Sequence, residues 1–248
     1  MSPGWYLNGN TVRLASHLIF SLFFLSNDFA GGFPFSHFYA IVQMISRFPA
    51  QPGGEGEERA DMGEGARCPW AKTEHEILYH DTEWCRPCRD DRALFELLEL
   101  EGFQAGLSWK LILERRAALR AFADFEPAAL AGWGEDEVEA ALAAPGVIKN
   151  RSKARCAVTN ARAFLAVAEE WGSFARYLWH WVDGVPVDHR LERPEDMPAE
   201  DDLSRRVSAD LKKRGFRFVG PVIVYSYLQG AGLINDHLVT CPWHGEGL

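Results

Sequence analysis

A glutamate at position 101 interrupts an apolar pattern in LELEGFQAGLSW, which runs from Leu98 to Trp109. At helical spacing, Leu94, Leu97, Leu98, Glu101, Ala105, Ser108, Trp109 and Ile112 share one face. That face is expected to be buried. A buried carboxylate is costly unless it is paired, hydrogen-bonded or required for chemistry. Trp70, Tyr79, Trp84 and Trp109 flank the same segments. Aromatic rings beside a buried carboxylate can sandwich a planar ligand. For any one ring taken singly, core packing is the simpler reading.

Two sets of metal-ligating residues compete. Cys85 and Cys88 form a C-x-x-C pair in EWCRPC, half of a zinc site or a redox motif. No second C-x-x-C and no βαβ pattern accompanies it. The other set is dispersed: Cys68 and His80 early, His237 and Cys241 late. In DHLVTC, His237 and Cys241 stand at i and i+4, on one face if the segment is a helical turn. Two cysteines and two histidines suit a closed, tetrahedral, structural zinc that ties both ends of the core together. Spacing alone does not decide between the sets, since a single histidine is more often a satisfied core or surface residue.

Cations gather at two places. Lys149, Arg151, Lys153 and Arg155 follow the Pro145-Gly146-Val147 turn, and Lys212, Lys213, Arg214 and Arg217 form the second group. A tight turn opening a helix presents backbone N–H groups to a phosphate, and Lys and Arg add sequence-independent attraction. Each cluster alone is ordinarily a solvated helix face. The pair, in an otherwise acidic chain, points to DNA backbone contact through Gly146, Lys149, Arg151 and Lys153.

The chain that must position these groups has 248 residues, a net charge of −9 and a pI near 5.4. That balance argues against a general nucleic-acid coat protein but leaves room for a local basic face. Five cysteines, an odd count, do not make a secreted disulfide framework and fit a reducing, cytoplasmic compartment. The apolar run at residues 17–26 is too short to span a bilayer and no small-residue cleavage site follows it. Residues 1–66 are expected to be a disordered leader or a mis-assigned start, with Met62 as a candidate initiator, and residues 67–248 the functional domain.

From Cys68 onward the pattern is helical, without convincing strands. Helices are expected over about 90–101 and 104–122, from Pro127, on both sides of the Pro145-Gly146 turn, through DDLSRRVSADLKKRGF with Gly215 as its cap, and over about 221–233. Residues 183–200, proline-rich and acidic, read as a surface loop. The fold class is all-α.

RCPWA, LYHDTEW, LEGFQAGLSW, KKRGFRFVGPVIVYSYLQGAGLINDH and DHLVTC, in that order over residues 67–241, together resemble the 3-methyladenine DNA glycosylase I (Tag) family. The resemblance implies a helix-hairpin-helix glycosylase fold acting on alkylation-damaged double-stranded DNA and so associated with the nucleoid through DNA; a monomer is the default expectation. It implies one structural zinc on Cys68, His80, His237 and Cys241. It makes Glu101 the carboxylate that recognises a flipped 3-methyladenine, Trp109 its stacking partner, Tyr79 a pocket wall, and Trp70 and Trp84 neighbours of the pocket. The expected reaction is monofunctional hydrolysis of the N-glycosidic bond, yielding free base and an abasic site, with no separate general base and no lyase lysine.

Three departures stand out. The Cys68–His80 segment is one residue shorter than usual, Glu76 stands near the place of a second pocket tyrosine, and Cys85 replaces a customary glycine. A non-catalytic damaged-DNA binding module on the same scaffold is the alternative these changes would permit. A zinc hydrolase or deaminase would need an open metal position beside a glutamate, which four ligands and the lack of an H-x-E/P-C-x-x-C arrangement disfavour. A helical interaction protein would leave the ordered motifs unexplained.

Overall fold

The computed structural model describes residues 67–245. The apolar run at 17–26, the polar linker and the Met62 start lie outside the described residues. Within them the chain is mostly helical: α1 (Glu74–Thr82), α2 (Asp91–Gln104), α3 (Trp109–Leu119), α4 (Pro127–Ala131), α5 (Glu135–Ala143), α6 (Arg151–Trp171), α7 (Phe174–His180), α8 (Asp202–Lys213) and α9 (Pro221–Gly230). No described helix is long and apolar enough to cross a membrane.

Caps set most of these boundaries. Asp90 caps α2 through Ala93 N, Ser108 caps α3 through Leu111 N, and Asn150 caps α6 through Lys153 N. Thr73 and Glu76 form a reciprocal capping box on α1. At the end of α8, Gly215 takes a left-handed φ of 96° while Phe216 N bonds to Leu211 O, closing the helix as expected from its glycine.

The long amphipathic α6 lies at the centre. α4, α5 and α7 pack on it, as does α2, and α9 joins α2 to α8. Phe95, Phe122, Phe125, Phe164, Phe174 and Phe216 fill the core, with Phe164 and Phe174 stacked at 4.1 Å.

Three expectations differ from the structure. The two helices expected over about 90–101 and 104–122 are present, but the break between them falls later, so the face drawn from Leu94 to Ile112 is not continuous. α2 stops at Gln104, Gly106 adopts φ 78°, and α3 begins only at Trp109. Ser108 therefore leaves the stripe and becomes a cap. The chain also contains strands. Val187–Asp188 (β1) pairs in parallel with Ile234–Asn235 (β2), two residues each, so the 183–200 loop is stitched to the C-terminal segment. That segment is not helical beyond Gly230: α9 ends three residues before the expected limit, at Leu233, and residues 236–245 form turns.

Candidate functional site

α2 carries Glu101 into a cavity of about 290 Å³. Trp70, Tyr79, Trp84 and Trp109 form its aromatic walls; Glu76, Gln104, Met197, Ser226 and Gln229 complete the lining. Trp109 is the first residue of α3, so the α2–α3 break that spoils the continuous stripe aims its indole at the cavity. Tyr79 meets Trp109 edge-on at 5.2 Å, and Trp70 meets Trp84 edge-on at 4.9 Å. Tyr79 fits because residue 230 is glycine: a Cβ there would lie 2.6 Å from the tyrosine Oη and 3.0 Å from Leu97.

Glu101 is 3% exposed, and its Oε2 has no hydrogen-bond partner among the described residues. Burial alone pushes its carboxyl up to about 8. An empty pocket therefore holds it mostly protonated at neutral pH, and a cation placed beside it would favour the ionised form. Nearby Glu99 is also buried and pushed up to about 7, by burial against the opposing bond from Asn160, but its Oε1 accepts that bond at 2.9 Å. Of these two carboxylates, only Glu101 lines the cavity.

Glu76 has a local duty. Its Oε2 accepts from Thr73 N at 2.9 Å and Thr73 Oγ1 at 2.8 Å. Burial pushes its carboxyl up, but bonds from the Thr73 backbone and side chain and from Lys72 N outweigh that and leave it below its usual value. The T-x-x-E spacing was a readable sign of this role.

Behind the aromatic wall, Cys68, His80, His237 and Cys241 converge, all buried, with their ligand atoms within 4.8 Å of one another. Cys241 Sγ lies 3.6 Å from His80 Nε2 and 3.6 Å from His237 Nδ1, and Cys68 Sγ lies 3.6 Å from the same Nδ1. Tetrahedral zinc with ordinary Zn–S and Zn–N lengths separates S and N ligands by about 3.6 Å, so this donor set fits such an ion. His80 turns Nε2 inward because Asp81 Oδ1 holds its Nδ1 at 2.7 Å, and Arg67 in turn grips Asp81 with two 2.8 Å bonds. His237 and Cys241 meet through turns rather than on the helical turn their spacing suggested. Trp84 is shared between the centres: it lines the cavity, stacks on His80 at 5.7 Å, and its carbonyl faces His237 Nε2 at 3.2 Å. Cys85 and Cys88 do not join the group. Cys85, with φ 58°, instead receives a hydrogen bond from Asp236 N on its sulfur.

The basic cluster divides. Gly146 takes φ 81° in the α5–α6 turn, and Lys149 is exposed there. Arg151 is exposed but paired with Glu139, and Arg155 with Glu135. Lys153 is corrected as a surface cation. It is 7% exposed, and its Nζ donates to Phe103 O at 2.8 Å and Ala105 O at 2.6 Å, fastening the C-terminal end of α2. At the first turn of α6 its stem reaches back across the core, which charge counting along the sequence does not reveal. Gln104, Met197, Ser226 and Gln229 were missed because they come from segments far apart in the chain and carry no charge.

Residues 70–244 match the family model described as methyladenine glycosylase. DNA-3-methyladenine glycosylase 1 of Escherichia coli (strain K12) is 40% identical over 177 residues, 71% of this chain and 95% of the relative. DNA-3-methyladenine glycosylase of Haemophilus influenzae is 37% identical, over 71% of this chain and 96% of the relative. Among solved structures, one of 3-methyladenine DNA glycosylase I from Staphylococcus aureus, on 3-methyladenine recognition, superposes with a TM-score of 0.70 at 38% identity, covering 73% of this chain and 97% of its own. A variant of the same enzyme type in complex with 3-methyladenine gives 0.69 at 38% identity, over 71% of this chain and 96% of its own.

Proposed function

This chain belongs to the methyladenine glycosylase family, and from that premise we infer how its pocket works on alkylated DNA. It is a DNA repair glycosylase that hydrolyses the N-glycosidic bond of 3-methyladenine, releasing the free base and leaving an abasic site.

The observation that carries the mechanism is the buried, unpartnered carboxylate of Glu101 inside an aromatic box. A base inside a duplex must be extruded before it can enter such a cavity. Methylation at N3 makes adenine cationic and weakens its glycosidic bond. Glu101 meets that cation with charge and an acceptor oxygen, while Trp109 adds stacking and a cation–π contribution. Neutral adenine draws the same base stacking but leaves the carboxyl protonated. Tyr79, Trp70 and Trp84 close the walls. Water then attacks the sugar carbon, and the selectivity lies in the recognition of a base already primed to leave.

Zinc is the metal this Cys₂His₂ group suits, held by Cys68, His80, His237 and Cys241. Four protein ligands leave no open position for substrate, so its contribution is structural. The α5–turn–α6 unit is read as the hairpin that receives a DNA phosphate through the Gly146 turn and Lys149, with Arg151 joining once Glu139 releases it. Double-stranded DNA bound by a single copy of the chain is the working arrangement.

The test is incubation of a chain starting at Met62 with methylated duplex DNA, followed by chromatography of the freed bases. Release of 3-methyladenine without 7-methylguanine is the expected result. Tight binding with no base released would instead establish the non-catalytic module.

A further inference from the structure

Asp236 is fully buried and is met only by donors. Its Oδ2 accepts from Tyr225 Oη at 2.5 Å and from Gln229 Nε2 at 2.6 Å, and its Oδ1 accepts from His189 Nδ1 at 2.7 Å. Gln229 lines the same cavity as Glu101. Which way its amide points decides whether the pocket offers a donor or an acceptor at that place.

The neighbours settle the orientation. An ionised carboxylate can only accept hydrogen bonds. Turning the amide over would bring Gln229 Oε1 against Asp236 Oδ2, oxygen on oxygen, at a fully buried carboxylate. The other neighbour agrees: Nε2 also lies 3.4 Å from the Met197 sulfur, a weak acceptor. With Nε2 engaged twice, the carbonyl Oε1 accepts no hydrogen bond from any described residue, and it is not among the atoms sealed from solvent. It is the atom of this side chain left free to meet a ligand in the cavity that Gln229 lines.

We propose that Gln229 is a specificity-determining residue whose amide, locked by Asp236, presents its carbonyl to the base and so selects a purine bearing an N–H donor at that edge, a 6-aminopurine over a 6-oxopurine. Asp236 acts as a positioning residue, and Tyr225 and His189 hold it in place. The inference rests on the base-recognition reading above and deepens it. Glu101 reads charge; Gln229 reads donor against acceptor, a distinction charge alone does not make between 3-methyladenine and 3-methylguanine. A buried acceptor facing another acceptor is penalised far more than one left facing a methylene.

The experiment titrates the tryptophan fluorescence of the full chain with free 3-methyladenine and with 3-methylhypoxanthine, which carries oxygen in place of the 6-amino group. Wild type is expected to prefer 3-methyladenine by about tenfold, the worth of one well-placed hydrogen bond. Q229M, similar in shape but without the amide, should lose chiefly 3-methyladenine affinity and bring the ratio to within about twofold. D236N, whose own amide can donate to the Gln229 carbonyl, should let the side chain turn over and move the preference toward 3-methylhypoxanthine. Thermal melts verify folding, and Q229M decides the matter if D236N does not fold. Equal proportional losses for both bases in the folded variants would overturn the orientation role while leaving the glycosylase reading intact. Wild type that binds neither base would overturn both.

Discussion

Replacing Glu101 with glutamine keeps the shape of the pocket and removes its charge. Consider first the gain the carboxylate provides. With the carboxyl at about 8 in the empty pocket, ionising it at pH 7 costs about 1 kcal/mol. A cation about 4 Å away, at an effective dielectric near 20, returns about 4 kcal/mol. The difference, roughly 2–3 kcal/mol, corresponds to roughly a hundredfold in single-turnover excision. E101Q should therefore excise 3-methyladenine about a hundred times more slowly at pH 7, while binding undamaged duplex DNA as wild type does. Wild-type kcat/KM should rise as pH increases from 6 to 8 and level off above, because the carboxylate of the free enzyme must be ionised to receive the cation. The variant's rate should be flat over that range.

Stability should move the other way. The folded carboxyl holds its proton more tightly than the unfolded one, whose ordinary value is 4.5. Its contribution is thus fully present below about pH 4.5 and lost as pH rises through about 8. By pH 9 the loss reaches about 5 kcal/mol. The neutral amide pays about the same burial cost as the neutral carboxyl it replaces, leaving E101Q roughly 5 kcal/mol more stable than wild type at pH 9. Glu99 titrates in both proteins and cancels. Urea unfolding at pH 5 and pH 9, paired with excision rates, measures both effects. A variant that is less stable at pH 9, or that excises as fast as wild type, would refute the reasoning.

Other perturbations separate the remaining parts. Metal analysis should find one zinc per chain, and chelation should lower the melting temperature and alter Trp84 fluorescence, since that ring stacks on His80; a melt unmoved by complete zinc removal would contradict a structural ion. K149A should weaken DNA binding for all sequences and lower the salt slope by about one. K153M should leave that slope unchanged yet destabilise the fold by about 1–3 kcal/mol, because the Phe103 and Ala105 carbonyls lose their donor; a lowered slope would return Lys153 to the DNA face. G230A should displace Tyr79, whose oxygen lies 2.6 Å from the new Cβ position, and reduce 3-methyladenine binding at least as much as Y79F does. Unchanged binding would mean that the tyrosine wall is not rigid.

The helices were legible where local rules govern them: the Pro127 start, the Gly215 stop and the helices on either side of the Gly146 turn follow from capping and backbone freedom. Glu101 was legible because a charge on an apolar face violates those rules, and such violations gather at functional sites. Cys68, His80, His237 and Cys241 were candidate ligands by type, but their meeting depends on the fold. His237 and Cys241 come together through turns that helical spacing misdescribes. The α2–α3 break was legible, but the sequence places it a few residues too early, because apolar residues continue across it; the left-handed Gly106 marks where it falls. The two-residue strands are too short to leave a period. Lys153 and Gln229 mark the limit of a linear reading, since a lysine seen in sequence does not say whether its stem runs outward or across a core, and a glutamine does not say which end of its amide is engaged.

The most direct test of the recognition mechanism is a carbon-13 NMR titration of the Glu101 carboxyl in the free protein, assigned by comparison with E101Q. A midpoint near 8 is the expected result. A midpoint at the ordinary carboxylate value, about 4.3, would show a solvated or partnered side chain and contradict a pocket built around a buried carboxylate awaiting a cationic base.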